Sequence, residues 1–256
     1  MFPPPDRQAV QRRDQLLAEL ERIRRILADD PRVLHLTVFG SLAVGQVHDW
    51  SDLDLAVVVV EGERQFADRA LDLRKRLRTR VGLDVLVYTP QEWRELSVHR
   101  PFVREEMVRR GRVVPLRPQQ EAERWLAFAE DDLRVARLAL EEGLYAQVCF
   151  HAQQCVEKSL KALLTRAGQL VPRTHRIDDL WAELPAWGRT PLDPMREALL
   201  ELDGYYAITR YPDAAPGTGR EGLPGPDHAD RALRAAQRCW QVASDLVRSG
   251  QDPTAS

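Results

Sequence analysis

Two aspartates separated by one residue, Asp52 and Asp54, open an apolar run that continues through Val60, and a Gly-Ser pair, Gly40-Ser41, closes an earlier run that begins at Val33. In an extended segment residues two apart project to the same face, so both carboxylates can serve one site. Two hard oxygen ligands on one face suit Mg²⁺, which takes its remaining oxygens from water and substrate phosphates. Gly40 has no Cβ and lets the backbone approach a ligand closely. Ser41 adds a hydroxyl where the chain leaves the first run, and a short helical turn after it would aim free N–H groups at a phosphate. Ser51, directly before Asp52, joins Gly40 and Ser41 as a candidate nucleotide- or phosphate-binding residue. A third carboxylate, Asp84, lies within Gly82–Tyr88, among apolar residues where an unpaired charge is expensive. A metal and a proton in transit would account for it.

These residues need a sheet to hold them. The runs from Val33 to Phe39, from Leu55 to Val60 and from Gly82 to Tyr88 are short and rich in β-branched residues, which predicts three strands. Pro3-Pro4-Pro5-Asp6 gives a stop and a cap for a first helix through about Ala28, with Leu16, Leu20, Ile23 and Leu27 at helical spacing. A second helix is expected over 63–80. It ends in Arg74-Lys75-Arg76-Leu77-Arg78-Thr79-Arg80, a run that suits a solvated helix end or a patch for RNA or a triphosphate. Thr89-Pro90 caps a short helix, Phe102–Arg110 forms another, and Val113-Val114 supplies a last edge strand. The expected architecture is therefore an α+β domain over 1–116, a short mixed sheet with helices. After Pro115-Leu116-Arg117-Pro118 helical periodicity takes over. Long helices are expected over 119–142, 144–167, 195–210 and 227–248, an all-α up-and-down bundle over 117–256.

The segment from Gly40 to Leu55 resembles the signature of the nucleotidyltransferase superfamily that includes DNA polymerase β and the minimal nucleotidyltransferases: Gly-Ser, about ten residues, then Asp-x-Asp, with a third acidic residue on a later strand. The resemblance covers roughly 30–115. It implies metal-dependent transfer of a nucleoside monophosphate from an NTP, ATP favoured, to an acceptor hydroxyl. Asp52, Asp54 and Asp84 would be the catalytic metal ligands for two Mg²⁺ ions, and Gly40 and Ser41 would hold the β/γ-phosphates. The segment Phe150-His151-Ala152-Gln153-Gln154-Cys155-Val156-Glu157-Lys158-Ser159-Leu160-Lys161 is similar to the signature helix of HEPN domains, with Thr174-His175 and Arg210-Tyr211-Pro212-Asp213 at that family's other recurring positions. HEPN domains are helical bundles that commonly dimerise, and many accompany minimal nucleotidyltransferases. Many are RNases that use Arg, four to six residues, then His. After Arg210 those positions hold Ala215, Pro216 and Gly217, so the usual pair is absent. The candidate HEPN residues are His151, Glu157, Lys158, Lys161, His175, Arg210 and Tyr211. Glu157 and Lys161 are also spaced as a plain helix ion pair.

Composition narrows the partners. A formal charge of −2 over 256 residues gives no strong DNA-binding signal. Cys149, Cys155 and Cys239 match no zinc spacing, and an odd number argues against a disulfide framework. With no membrane-spanning run or leader, the expected setting is cytoplasmic. Broad apolar helix faces with Trp125, Trp181 and Trp240 suggest a homodimer. The acceptor is left open among a protein tyrosine, RNA and a small molecule. The resemblance makes Tyr205, Tyr206 or Tyr211 an internal acceptor candidate. The alternative reading is a toxin–antitoxin-like fusion in which the bundle binds or cleaves RNA and the transferase domain regulates it.

Overall fold

The computed structural model of the protein describes residues 7–60, 65–210 and 222–249, without the Arg210 side chain. The chain divides into two compact units, Met1–Arg117 and Pro118–Ser256. Pro3–Asp6, Glu63 and Tyr211 fall outside the described residues, so the proline stop, the expected start of the second helix and the loop after Arg210 do too.

The first unit opens with α1 (Arg7–Ala28), whose Leu16, Leu20, Ile23 and Leu27 are buried at helical spacing. Then come β1 (Val33–Phe39), the five-residue α2 (Gly40–Val44), β2 (Leu53–Val59), α3 (Phe66–Leu77), β3 (Leu83–Tyr88) and α4 (Pro90–His99). A π-helix (Val103–Arg109) and β4 (Arg112–Val113) complete it. The sheet order is β3-β2-β1-β4, with β1 antiparallel to β2 and β4, and β2 parallel to β3. β2 has a strand on each side, which is why Leu53, Leu55, Ala56 and Val57 are all 0 % exposed, an apolar run that Asp54 alone interrupts.

Thr89 caps α4 as its sequence predicts. Its Oγ accepts from the Glu92 N–H at 3.2 Å, while the Glu92 carboxylate accepts from the Thr89 N–H at 2.7 Å. The basic side chains of the run at the end of α3 are exposed, as a solvated helix end requires, while a few contacts tie the segment down. Arg76 pairs with Asp30, the Arg80 N–H donates to Glu19 at 3.1 Å, and the Leu77 carbonyl accepts from Arg22 at 2.7 Å. Hydrogen bonds from Arg32 and then Arg76 hold Asp30 far below the usual carboxylate range. Arg76 and the backbone of Leu77 and Arg80 thus tie the end of α3 to α1 and to Asp30 just beyond it.

The second unit is built on α5 (Pro118–Glu141), α6 (Tyr145–Arg166) and α11 (Pro226–Arg248), which pack on one another. Buried alanines line the contacts, among them Ala122, Ala129 and Ala136 on α5 and Ala229, Ala232 and Ala236 on α11. The three cysteines are free and buried among them, and burial pushes the Cys149 and Cys155 thiols up to about 12. Between α6 and α11 lie short helices: α7 (Ile177–Glu183), α8 (Ala186–Arg189), a 3₁₀ turn (Thr190–Met195), α9 (Arg196–Glu201) and α10 (Asp203–Arg210). The helix expected over 195–210 is thus two helices. The break frees the Asp203 carboxylate to accept from the Ile177 and Asp178 N–H groups at 2.7 and 3.2 Å, capping α7. No helix among the described residues is long and apolar enough to cross a membrane.

Candidate functional site

β2 and β3 bring the carboxylates together. In their parallel register Asp54 stands opposite Asp84, and on the other side of β2 Phe39 pairs with Asp54. The chain therefore delivers Gly40 to the edge of Asp54. A Cβ on Gly40 would lie 2.0 Å from Asp54 Oδ2, and its φ of +66° is a left-handed conformation that favours glycine. What approaches Gly40 closely is thus the Asp54 carboxylate itself. Gly82 does the same for Asp52: a Cβ there would lie 1.9 Å from Asp52 Oδ1.

The three aspartates differ in exposure. The Asp52 and Asp84 side chains are 54 % and 70 % exposed, while Asp54 is half-buried. The expectation that Asp84 sits in apolar surroundings is overturned, because strand alternation sends Leu83, Val85 and Val87 inward and Asp84 outward. The burial cost falls on Asp54 instead. Burial first, then the negative charges of Asp84 and Asp52, push its carboxyl up to about 6. Ser41 lies on α2, and Ser51 is 7 % exposed. Ser51 Oγ accepts from the His48 N–H at 2.9 Å, so its hydroxyl closes the turn before Asp52. That turn is fastened to α1 by Arg12, whose Nε donates to the Ser51 carbonyl at 2.9 Å.

A hard divalent cation fits this donor set. The carboxylates gather at one end of β2 and β3, burial and their mutual repulsion raise Asp54, and two glycines keep Cβ atoms away from them. Among the described residues, however, no three His, Cys, Asp or Glu side chains already converge as a ready-made metal set. Arginines stand by the two outer aspartates: Arg12 Nη2 is 3.9 Å from Asp52 and Arg74 Nη2 is 3.8 Å from Asp84.

The second unit carries a polar cluster on α6. His151 Nδ1 lies 2.9 Å from Asp132 Oδ1, and Lys158 pairs with the same aspartate. One turn on, the buried Glu157 accepts from Lys161 Nζ at 2.7 Å and Gln154 Nε2 at 3.1 Å, with His175 Nδ1 at 3.2 Å. The His175 ring stacks on Tyr206 at 5.2 Å and 11°.

Comparison with known proteins agrees with both halves. The family model described as Polymerase beta, Nucleotidyltransferase matches residues 21–119, and the HEPN domain model matches 122–246. This chain is a polymerase-β-type nucleotidyltransferase domain followed by a HEPN domain. A Methanocaldococcus jannaschii protein named "Putative toxin MJ1304" is 28% identical over 138 residues, which is 50% of this chain and 88% of that one. Among solved structures, TT1696 from Thermus thermophilus is 40% identical, with a TM-score of 0.45 over 48% of this chain and 96% of that one. ST0689, an archaeal HEPN homologue, is 31% identical, with a TM-score of 0.40 over 50% and 98%.

Within the HEPN domain, the structure brings Glu157, Lys161 and His175 together and sets His151 and Lys158 on Asp132. Arg210 closes α10, but its side chain and Tyr211 lie outside the described residues. Of the tyrosines, Tyr205 is buried and donates its hydroxyl to Glu201 at 2.9 Å, and burial with that carboxylate pushes it up to about 12. Tyr206 is half-buried. Sequence reasoning missed Asp132, Arg12 and the part played by Gly82. Asp132 and Arg12 look like ordinary solvated helix residues, and the register that brings Gly82 to Asp52 is not local. A glycine leading into the strand of a candidate metal ligand was the available signal.

Proposed function

We propose that the nucleotidyltransferase domain transfers a nucleoside monophosphate from an NTP, ATP favoured, to an acceptor hydroxyl at Asp52, Asp54 and Asp84. The observation that carries this reading is the register match of Asp54 with Asp84, whose negative charge adds to burial in raising the Asp54 carboxyl. Mg²⁺, two ions for this ligand set, supplies charge neutralisation and Lewis acidity when bound. The backbone at Gly40 and Ser41 holds the β/γ-phosphates. The acceptor oxygen attacks the α-phosphorus, the bond to the bridging oxygen breaks, and pyrophosphate leaves. The exposed Asp84 carboxylate takes the acceptor's proton. Most of the rate comes from positioning and charge, as in phosphoryl transfer generally. Incubation with each labelled NTP and cell extract tests it. Label on a protein, RNA or small molecule names the acceptor, and no label with any NTP contradicts the transfer.

A second reading is a toxin–antitoxin-like fusion, favoured by the relative named a toxin. In it the HEPN domain binds or cleaves RNA and the transferase domain restrains it. Lys158 is paired with Asp132 and Lys161 with Glu157, so neither lysine is an uncompensated cation toward RNA. RNA cleavage that persists in EDTA would favour nuclease action.

A further inference from the structure

Two arginines reach the outer aspartates from different helices. Arg12, on α1, donates to the Ser51 carbonyl at 2.9 Å and sets Nη2 3.9 Å from Asp52 Oδ1. Arg74, on α3, donates to the Leu83 carbonyl and sets Nη2 3.8 Å from Asp84 Oδ1. Each guanidinium is therefore anchored on the backbone beside a candidate ligand. Each holds the carboxylate itself only loosely, since charge-assisted bonds run at about 2.7–2.9 Å. A guanidinium has five donors, so a backbone anchor leaves others for a second partner. Among the described residues Asp54, between these pairs in the sheet, makes no ion pair, so the two arginines balance the outer carboxylates and leave the middle one uncompensated.

We propose that Arg12 and Arg74 are two-position cations, neutralising Asp52 and Asp84 in the metal-free protein and passing to the phosphate oxygens of a nucleoside triphosphate when a divalent ion takes those carboxylates. The inference rests on the reading of the aspartates as metal ligands. A bound cation cancels the charge that holds each guanidinium. A triphosphate brings new negative charge, and the planar fork of arginine suits phosphate oxygens. The backbone anchors keep both side chains at the site throughout. Metal and nucleotide then favour each other's binding, because each removes the other's competitor.

The two roles predict opposite signs. Mn²⁺ alone, and a non-hydrolysable ATP analogue with Mn²⁺, would be titrated by calorimetry into wild type, Arg12→Gln, Arg12→Lys and Arg74→Gln. Each Gln variant should bind Mn²⁺ several-fold more tightly in the absence of nucleotide. Each should bind the analogue roughly tenfold more weakly, the usual effect of losing a charged hydrogen bond. Arg12→Lys, which keeps the charge, should fall between. Arg74 is 56 % exposed, so its variant keeps the test valid should loss of the Arg12 anchor disturb α1. Metal and analogue affinities that fall together, or do not change, in an Arg74→Gln protein would overturn the inference alone. A wild type that binds neither Mn²⁺ nor the analogue would overturn the metal-ligand reading along with it.

Discussion

Asp54 bears the electrostatic cost of the site. Its folded carboxyl titrates at about 6, above the ordinary carboxylate range. Between that range and about pH 6 the folded protein binds more protons than the unfolded chain, so metal-free stability falls as pH rises through this window. Above it the cost is fully present. Asp54→Asn should therefore melt at higher temperature than wild type in EDTA at neutral pH and lose this slope, as read by thermal denaturation across pH. The two glycines separate geometry from stability. Gly40→Ala adds a Cβ at positive φ against a half-buried carboxylate and should cost about 2 kcal/mol. Gly82→Ala meets the exposed Asp52, which can rotate away. Its unfolding free energy from urea titration should change by less than about 0.5 kcal/mol while Mn²⁺ affinity drops. The Asp-x-Asp and Gly-Ser pairs were legible because their spacing is local. The exposure of Asp84 was not, because the apolar run around it does not say which face of the strand is covered.

At the scale of elements, the sequence predicts β1, β2, β3 and the Thr89 cap from alternation and capping chemistry. The broken helix before Arg210 escaped, since apolar spacing continues across Leu202 and the partner that Asp203 caps lies 26 residues away. On α6 the spacing of Glu157 and Lys161 does give their ion pair, yet its burial depends on Trp125 and His175 from elsewhere in the chain. Lys161→Met would leave Glu157 buried without its main counter-charge and should cost about 3–5 kcal/mol. The Glu157→Gln/Lys161→Met pair should cost less than the sum of the single changes, since the two sites are in contact. Urea unfolding of the three variants measures both.

For the whole molecule, the two compact units coincide with two family matches, and the sequence shows the change at the Pro115–Pro118 segment as a loss of strand patterning. Trp181 is buried, and Trp240 donates to the Leu126 carbonyl at 3.2 Å, so those aromatics serve the bundle's own packing. Phe128, Val135 and Leu138 remain exposed at one-face spacing on α5, which supports the proposed homodimer. Light scattering at micromolar concentration should give twice the mass of the chain, and Phe128→Glu/Leu138→Glu should lower it to one. The most direct measurement of the account is pyrophosphate release from Mg·NTP by wild type and by the Asp52→Asn/Asp54→Asn protein, with folding checked by circular dichroism. The account predicts Mg²⁺-dependent release by wild type and none by the folded double variant. Equal release from both proteins would contradict it.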